Sequence, residues 1–512
     1  MQEYIRDLEK RKEAALQLGG EAKIKQHQQA GFYTARERID KLVDKDSFME
    51  FGKLNHAENP EIAHKSPADG TIAGLAKINQ RPVVVQAIDK TVLAGTGAAV
   101  NGRKSHLITN FAVKRGLPIF NLDEGGGLRM PDGMGSDGIS SKMMSMNLLK
   151  HGRQVPIITA ILGDSYGSPT WKAVTSDFAV QLKGTCLAVS GPRMLEVATG
   201  EKVSPEELGG WKLHAKTTGQ TDQHGEDEAQ CFDLMKTFFQ YMPSQADEEP
   251  PYKETTDDPY RILQEVMEIV PTKRNRAYDM KKLIHVIVDK DSFFEMKPLY
   301  GEALITGFAR LNGRVVGIIA NQPMKYAGAA GPQECLKATD FICLCDSYHI
   351  PLIFLHDIPG FRVGSTAEKA AMPTKIMVWN QALAWSTVPK ISVVIRKSIG
   401  AAYSNMCGPN MGADFVVAWP TAEINFTGPE VGINVVYGRE LMEVENPEEE
   451  RKKLLDLWEF DSSPYKAAGK HLIDDVIDPR DTRKFLCRSL DYACSQKGTK
   501  SQRLLANWPT GF

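Results

Sequence analysis

Val43-Asp44-Lys45-Asp46-Ser47-Phe48 recurs unchanged as Val288-Asp289-Lys290-Asp291-Ser292-Phe293. Six identical residues could be chance, but the stretches downstream of the two copies keep one spacing. Gly74 and Gly307, Asn79 and Asn312, Arg81 and Arg314, Pro118 and Pro351, Val155-Pro156 and Val388-Pro389, and Gly167 and Gly400 all share an offset of 233. Further on the offset becomes 237, pairing Asp177-Phe178 with Asp414-Phe415 and Gly191-Pro192 with Gly428-Pro429. A ladder of matches at one offset marks an internal duplication, so one module is present twice.

The 512 residues exceed the roughly 100 to 200 expected per domain. The acidic, proline-bearing stretch Ser244-Gln245-Ala246-Asp247-Glu248-Glu249-Pro250-Pro251 places the boundary, giving domains 1–247 and 248–512. In each copy short β-rich runs alternate with helical stretches: Val83 to Val85, Leu117 to Leu122 and Val155 to Leu162 in the first; Val315 to Ile319, Pro351 to Leu355 and Ile391 to Ile395 in the second. Such alternation predicts an α/β fold with largely parallel pairing. Residues 1 to about 30 predict one charged helix, with Tyr4, Ile5 and Leu8 as a partial apolar stripe for a neighbour.

Apolar content of 42%, charged content of 25% and a net charge of -2 give no electrostatic case for nucleic acid or an anionic membrane surface. No apolar run approaches the roughly 18 to 20 residues of a membrane span, and Glu3, Asp7, Glu9 and Glu13 are unlike a signal peptide, so a cytoplasmic protein is expected. The eight cysteines include no CxxC pair, and Cys343-x-Cys345 lies in an apolar, helix-like segment; reduced structural thiols are expected. There is no GxxxxGK[ST], and Gly95-Thr96-Gly97 lacks the third glycine of a dinucleotide fingerprint. Neither HExxH nor a tight His/Cys/Asp set occurs, so no metal is predicted.

Glycine-rich segments follow strands at corresponding places in the copies. Asp123-Glu124-Gly125-Gly126-Gly127-Leu128-Arg129 matches Asp357-Ile358-Pro359-Gly360-Phe361, and Gly163-Asp164-Ser165-Tyr166-Gly167-Ser168-Pro169 matches Ser398-Ile399-Gly400-Ala401-Ala402-Tyr403. Small residues at a strand-to-helix turn let backbone N–H groups face a ligand oxygen, which holds an oxyanion without a charged side chain. A glycine at a strand end is ordinarily just a turn; its recurrence in register favours function. His356, beside Asp357, is a candidate base, with a hydrogen-bonded structural histidine as the competing reading.

The chain resembles the carboxyltransferase (β) subunits of biotin-dependent acyl-CoA carboxylases of the propionyl-CoA and methylcrotonyl-CoA types. The resemblance runs nearly end to end. It includes Gln26-His27, Thr34-Ala35-Arg36-Glu37-Arg38-Ile39, Gly200-Glu201-Lys202-Val203, Glu207-Leu208-Gly209-Gly210 with His214, Ala320-Asn321-Gln322-Pro323, Ala418-Trp419-Pro420-Thr421-Ala422-Glu423-Ile424 and Asp478-Pro479-Arg480-Asp481-Thr482-Arg483. It implies two tandem crotonase-like (ββα superhelix) domains, with acyl-CoA mainly on the first and biotin on the second domain of a partner chain. It further implies a hexamer built as a trimer of dimers, and a separate biotin carboxylase and biotin carrier, since the Met-Lys-Met attachment motif is missing here. The chemistry implied is carboxyl transfer from carboxybiotin to a thioester enolate. Backbone donors Gly167 and Ser168 would serve the thioester, and Gly400, Ala401 and Ala402 would serve biotin. Pro359, Gly360, Phe361, Tyr403 and Ser404 would line the biotin side, while Gly125, Gly126, Arg103, Lys104 and Arg129 would contact CoA.

The departures from the family pattern fall where substrate would sit. Ser165-Tyr166-Gly167-Ser168-Pro169-Thr170-Trp171-Lys172 stands where relatives commonly read Cys-Ala-Gly-Gly-Ala-Val-Tyr-Ser. Ser168 adds a side chain, Pro169 removes a donor, and Trp171 and Lys172 change the wall; Lys172 could pair with a substrate carboxylate. Other readings are an acyl-CoA decarboxylase subunit running the reaction backwards, an enzyme of this scaffold that has left biotin, and a non-catalytic CoA-sensing subunit.

Overall fold

The structure, a computed structural model, describes residues 1–140 and 153–495. The chain divides into two compact units, Met1–Glu248 and Glu249–Phe512. In the first, β1 (Met49–Phe51), β2 (Thr71–Ile78), β3 (Arg81–Ile88), β4 (Ile119–Asp123), β5 (Ile157–Ile161), β6 (Phe178–Leu182) and β7 (Gln223–Gly225) form one seven-stranded sheet in that order. The second repeats the plan with β8 (Phe294–Met296), β9 (Leu304–Leu311), β10 (Arg314–Asn321), β11 (Leu352–Ile358), β12 (Lys390–Ile399), β13 (Phe415–Ala418) and β15 (Asp475–Val476), while β14 (Glu423–Asn425) runs beside the far end of β12.

Parallel pairing holds from β3 to β7 and from β10 to β15. It does not hold at the start of either sheet, where three strands pair antiparallel. Between the second and third strands of each sheet the reason is a two-residue turn, which can join only antiparallel neighbours. Asn79 and Gln80 have φ of 50° and 65°, and Asn312 and Gly313 have φ of 51° and 79°. Two successive positive φ values make the turn whose twist matches a hairpin. Every residue of β4, β5 and β6 is buried, as expected of strands covered on both faces.

Helix α1 (Ala35–Leu42) starts at a capping box between Thr34 and Glu37. Helices α2 (Ala99–Arg115) and, in the second unit, α5 (Pro332–Ser347) are the crossovers from hairpin to first parallel strand. Short α3 (Ser168–Val174) and long α4 (Glu228–Phe239) follow in the first unit; α6 (Met372–Trp385) and α7 (Ala402–Asn405) belong to the second. Each crossover helix buries a lysine at the same register. Lys104 Nζ donates to the carbonyls of Thr71 and Gly52, and Lys337 Nζ to those of Tyr300 and Leu304, at 2.9 and 2.7 Å. Burial pushes the two ammonium groups down to about 8 and about 7 respectively.

The single N-terminal helix expected from the sequence is two helices, Gln2–Leu16 and Glu21–Gln29, because Gly20 takes a φ of 89° between them. Tyr4, Ile5 and Leu8 are exposed. All eight cysteines are free thiols, seven of them buried. Among the described residues, no helix is long and apolar enough to cross a membrane.

Candidate active site

The strands of both units end in matched turns. In the first, Ser165–Tyr166 pairs in parallel with Leu187–Ala188. In the second, the far end of β12 pairs in parallel with β14. At the bend Gly167 has φ 70° and Gly400 φ 68°, a conformation that disfavours any side chain. The Gly167 N–H donates to Ala188 O at 3.4 Å and the Gly400 N–H to Asn425 O at 2.8 Å. Ala188 and Asn425 stand at the second offset of the duplication, 237, so even this bond is repeated.

The glycines therefore shape the turns while their own N–H groups are already engaged. Of the donors expected from the sequence, the Gly400 N–H is thus held by a short bond and the Gly167 N–H by a long one. The donors left over are the next ones along: among the described residues the N–H groups of Ser168, Ala401 and Ala402 make no hydrogen bond. Pro169, in register with Ala402, has no N–H to offer, so the first turn presents one donor where the second presents two. A donor aimed at a developing oxyanion contributes about 2.7 to 4 kcal/mol.

Gly125 and Gly126 brace the first turn from below. The Gly125 carbonyl accepts from Tyr166 N–H at 3.0 Å and the Gly126 N–H donates to Ala94 O at 3.3 Å. A Cβ on Gly125 would lie 3.1 Å from Gly95 O and 3.2 Å from Pro169 Cγ, too close for the loop to stay as it is. Of the three cations expected on CoA, two are internal. Lys104 is sealed in the core by its carbonyl partners, and Arg129 is buried against Asp69 and Asp132 at 2.9 and 2.7 Å, so neither presents a charge to a ligand. Arg103 stays at the surface, paired with Glu58. Trp171 is 44% exposed on α3, and Lys172 Nζ lies 3.8 Å from Asp123 Oδ1.

On the second unit, Gly360 takes φ 132° and its carbonyl accepts from Ala330 N–H at 3.3 Å, next to half-buried Pro359. The Phe361 ring meets Trp379 edge-on at 6.3 Å. Tyr403 is half-buried, and burial raises its phenol to about 12. Ser404 Oγ accepts from Asn410 Nδ2 at 3.0 Å. His356 is not a base: full burial drives it down to about 3, its Nδ1 is 3.0 Å from Ser398 Oγ, and it stays neutral and out of solvent.

Glu124 and Asp357, again offset by 233, are strand-end carboxylates, each neutralised by a buried arginine brought from a different element. Arg38 of α1 reaches Glu124 at 2.7 Å, and Arg396 of β12 reaches Asp357 at 2.8 Å. Burial alone would raise Glu124; His27 and Arg38 outweigh it and hold the carboxyl below its usual range. Glu124 and His27 also line an open cavity of about 490 Å³ with Lys23, Lys90 and Asp164. No group of three His, Cys, Asp or Glu side chains able to hold a metal occurs among the described residues.

Residues 26–507 match the carboxyl transferase domain family. The chain is 34% identical to the propionyl-CoA carboxylase carboxyltransferase subunit of Haloferax mediterranei, over 99% of each chain. It is 32% identical to the methylmalonyl-CoA decarboxylase subunit alpha of Veillonella parvula, over 96% of each. Among solved structures, a transcarboxylase 12S subunit, described as a hexamer and with methylmalonyl-coenzyme A bound, superposes with a TM-score of 0.92 at 32% identity, covering 98% of this chain and 97% of that one.

Proposed function

Because the chain belongs to the carboxyl transferase domain family, we propose that it moves a carboxyl group between biotin and an acyl-CoA in the cytoplasm, with the thioester on the first unit and biotin on the second. The observation that carries this reading is the pair of matched turns, each with a positive-φ glycine followed by unengaged backbone donors. The Ser168 N–H holds the thioester oxygen as the α-carbon becomes an enolate, and Trp171 walls the acyl group. Arg103 is the exposed cation available to the CoA phosphates.

The second turn fits an uncharged ureido group. It offers two donors, Ala401 and Ala402, with only methyl side chains on them, and Phe361 and Tyr403 lie on neighbouring segments of the same unit. When bound, biotin supplies an activated carboxyl group; a separate biotin carboxylase and carrier protein deliver it. Further copies of this chain complete the assembly, as a hexamer. The same donors serve both directions of transfer, so decarboxylation uses the same site.

The test is loss of the carboxyl group from a panel of α-carboxylated acyl-CoAs by the purified chain, followed by mass spectrometry with and without free biotin. Decarboxylated thioester should form only when biotin is added. Turnover that ignores biotin would place the chain among biotin-free enzymes of this fold.

A further inference from the structure

Directly beneath the two turns the copies differ in charge. Asp123 ends β4, and its counterpart at the offset of 233 is His356, near the end of β11. Asp123 is completely buried, and among the described residues neither of its carboxylate oxygens has a hydrogen-bond partner. A buried carboxylate without hydrogen bonds is costly, and groups of this kind concentrate at functional sites. Among the described residues its compensation is the Lys172 ammonium at 3.8 Å, beyond hydrogen-bond range.

Lys172 comes from α3, whose first residue is Ser168. Helical side chains lean toward the N-terminus, so the lysine arm runs back toward the turn that holds the free Ser168 donor. About a quarter of that arm, 27%, is exposed, so a ligand at the turn can reach it. The rest of the surroundings of Asp123 is neutral or engaged elsewhere. Ser165 Oγ donates to the Asp123 carbonyl, Tyr166 has Asp164 as its charged neighbour and the neutral Cys186 thiol beside it, and Glu124 is taken by Arg38 and His27. Among the described residues, Lys172 is the charged group acting on Asp123.

Resting on the acyl-CoA reading above, we propose that Lys172 and Asp123 form a carboxylate-reading element: Lys172 takes a carboxylate carried on the acyl part of the thioester, and Asp123 gives up the ammonium and accepts a proton. The exchange keeps the buried charge balanced. One carboxylate replaces another beside Lys172, and the displaced one becomes neutral. Burial already holds Asp123 above the usual carboxylate range, with Lys172 opposing, so removing that opposition favours protonation. Two sources present this chemistry: a carboxylate at the far end of the substrate chain, or the one that the reaction places on the α-carbon.

Titration calorimetry with butyryl-CoA, succinyl-CoA and ethylmalonyl-CoA, in two buffers of different ionisation heat, separates the sources. The parent chain should bind at least one carboxylated thioester roughly 10-fold more tightly than butyryl-CoA, with uptake of a fraction of a proton. Preference for succinyl-CoA identifies the far-end carboxylate, and preference for ethylmalonyl-CoA the α-carboxylate. In Lys172→Met the affinity ratio should fall to about 1 and the proton uptake should vanish. Asp123→Asn, which keeps the shape, should retain the preference but lose the uptake, and serves if the first variant does not fold. A parent chain without preference, or a preference that survives in Lys172→Met, overturns the proposal. The binding needs neither biotin nor turnover, so a chain that discriminates through Lys172 yet transfers no carboxyl group refutes the proposed function alone.

Discussion

The turns at Gly167 and Gly400 have nearly equal φ, 70° and 68°, and make the same backbone bond, to Ala188 and Asn425 respectively, yet they stand on different ground. Under the first lies an ion pair, Asp123 and Lys172; under the second a neutral histidine held by a serine. The first turn has a proline where the second has a free N–H. Duplication has kept the backbone of the turn and let the side chains beneath it diverge. The two sites therefore differ in charge and donor number while sharing one geometry.

The sharpest way to break this comparison is to give the second turn the proline of the first. Ala402→Pro sits at the first position of α7, where proline is tolerated, so the fold should survive while one donor is lost. If the second site needs both donors, kcat should fall by about 100-fold or more in a biotin-dependent assay, with the KM for acyl-CoA little changed. An unchanged kcat would show that one donor suffices on both sides. A smaller effect comes from adding a methyl group at each bend. Gly167→Ala meets nothing nearer than Gly127 Cα at 3.8 Å, so it bears only the backbone strain of about 1 to 3 kcal/mol; Gly400→Ala adds a Cβ 3.1 Å from Phe426 O and should be the less stable in chemical denaturation. Equal losses would mean that φ alone governs both.

Acid supplies the third comparison. His356 binds its proton only near pH 3 when folded, against about 6.5 unfolded, so below pH 6.5 the unfolded state holds more protons and stability falls by about 1.4 kcal/mol per pH unit. His356→Gln should remove that slope in the second unit. Asp123 is displaced upward, so the folded first unit holds the extra proton and gains from acidification over the same direction of change. The stability difference between Asp123→Asn and the parent chain should therefore move with the opposite sign. Hydrogen exchange resolved by unit, between pH 7 and pH 4.5, checks both, and slopes of the same sign would contradict the charge contrast.

The duplication is readable because turns and bends restrict residue choice. Asn79 and Asn312 at hairpins and Gly167 and Gly400 at bends hold positive φ, and few residues tolerate it. The antiparallel start of each sheet escapes the pattern of alternation although Asn312-Gly313 is a hairpin signal, because its twin reads Asn79-Gln80. The break of the first helix is signalled by Gly19-Gly20. Which N–H groups stay free is not legible, since that depends on Ala188 and Asn425 arriving from later strands. Lys104 reads as a surface residue because lysine is commonly exposed. The warning is its match to Lys337 at the shared offset of 233, a position held by packing in both copies.

Those two lysines also bear on how long the molecule stays intact. Burial is what pushes these amines down to about 8 and about 7, so on exposure they return to the ordinary lysine range, where only a small unprotonated fraction attacks thioesters. A carboxyl transferase that handles acyl-CoA lives among such compounds. Burial beneath the hairpin keeps Lys104 and Lys337 from reacting, but each local opening exposes them, and an acylated lysine has lost the charge that held its carbonyl partners. Damage by its own class of substrate thus becomes a clock set by how seldom the crossover helices open.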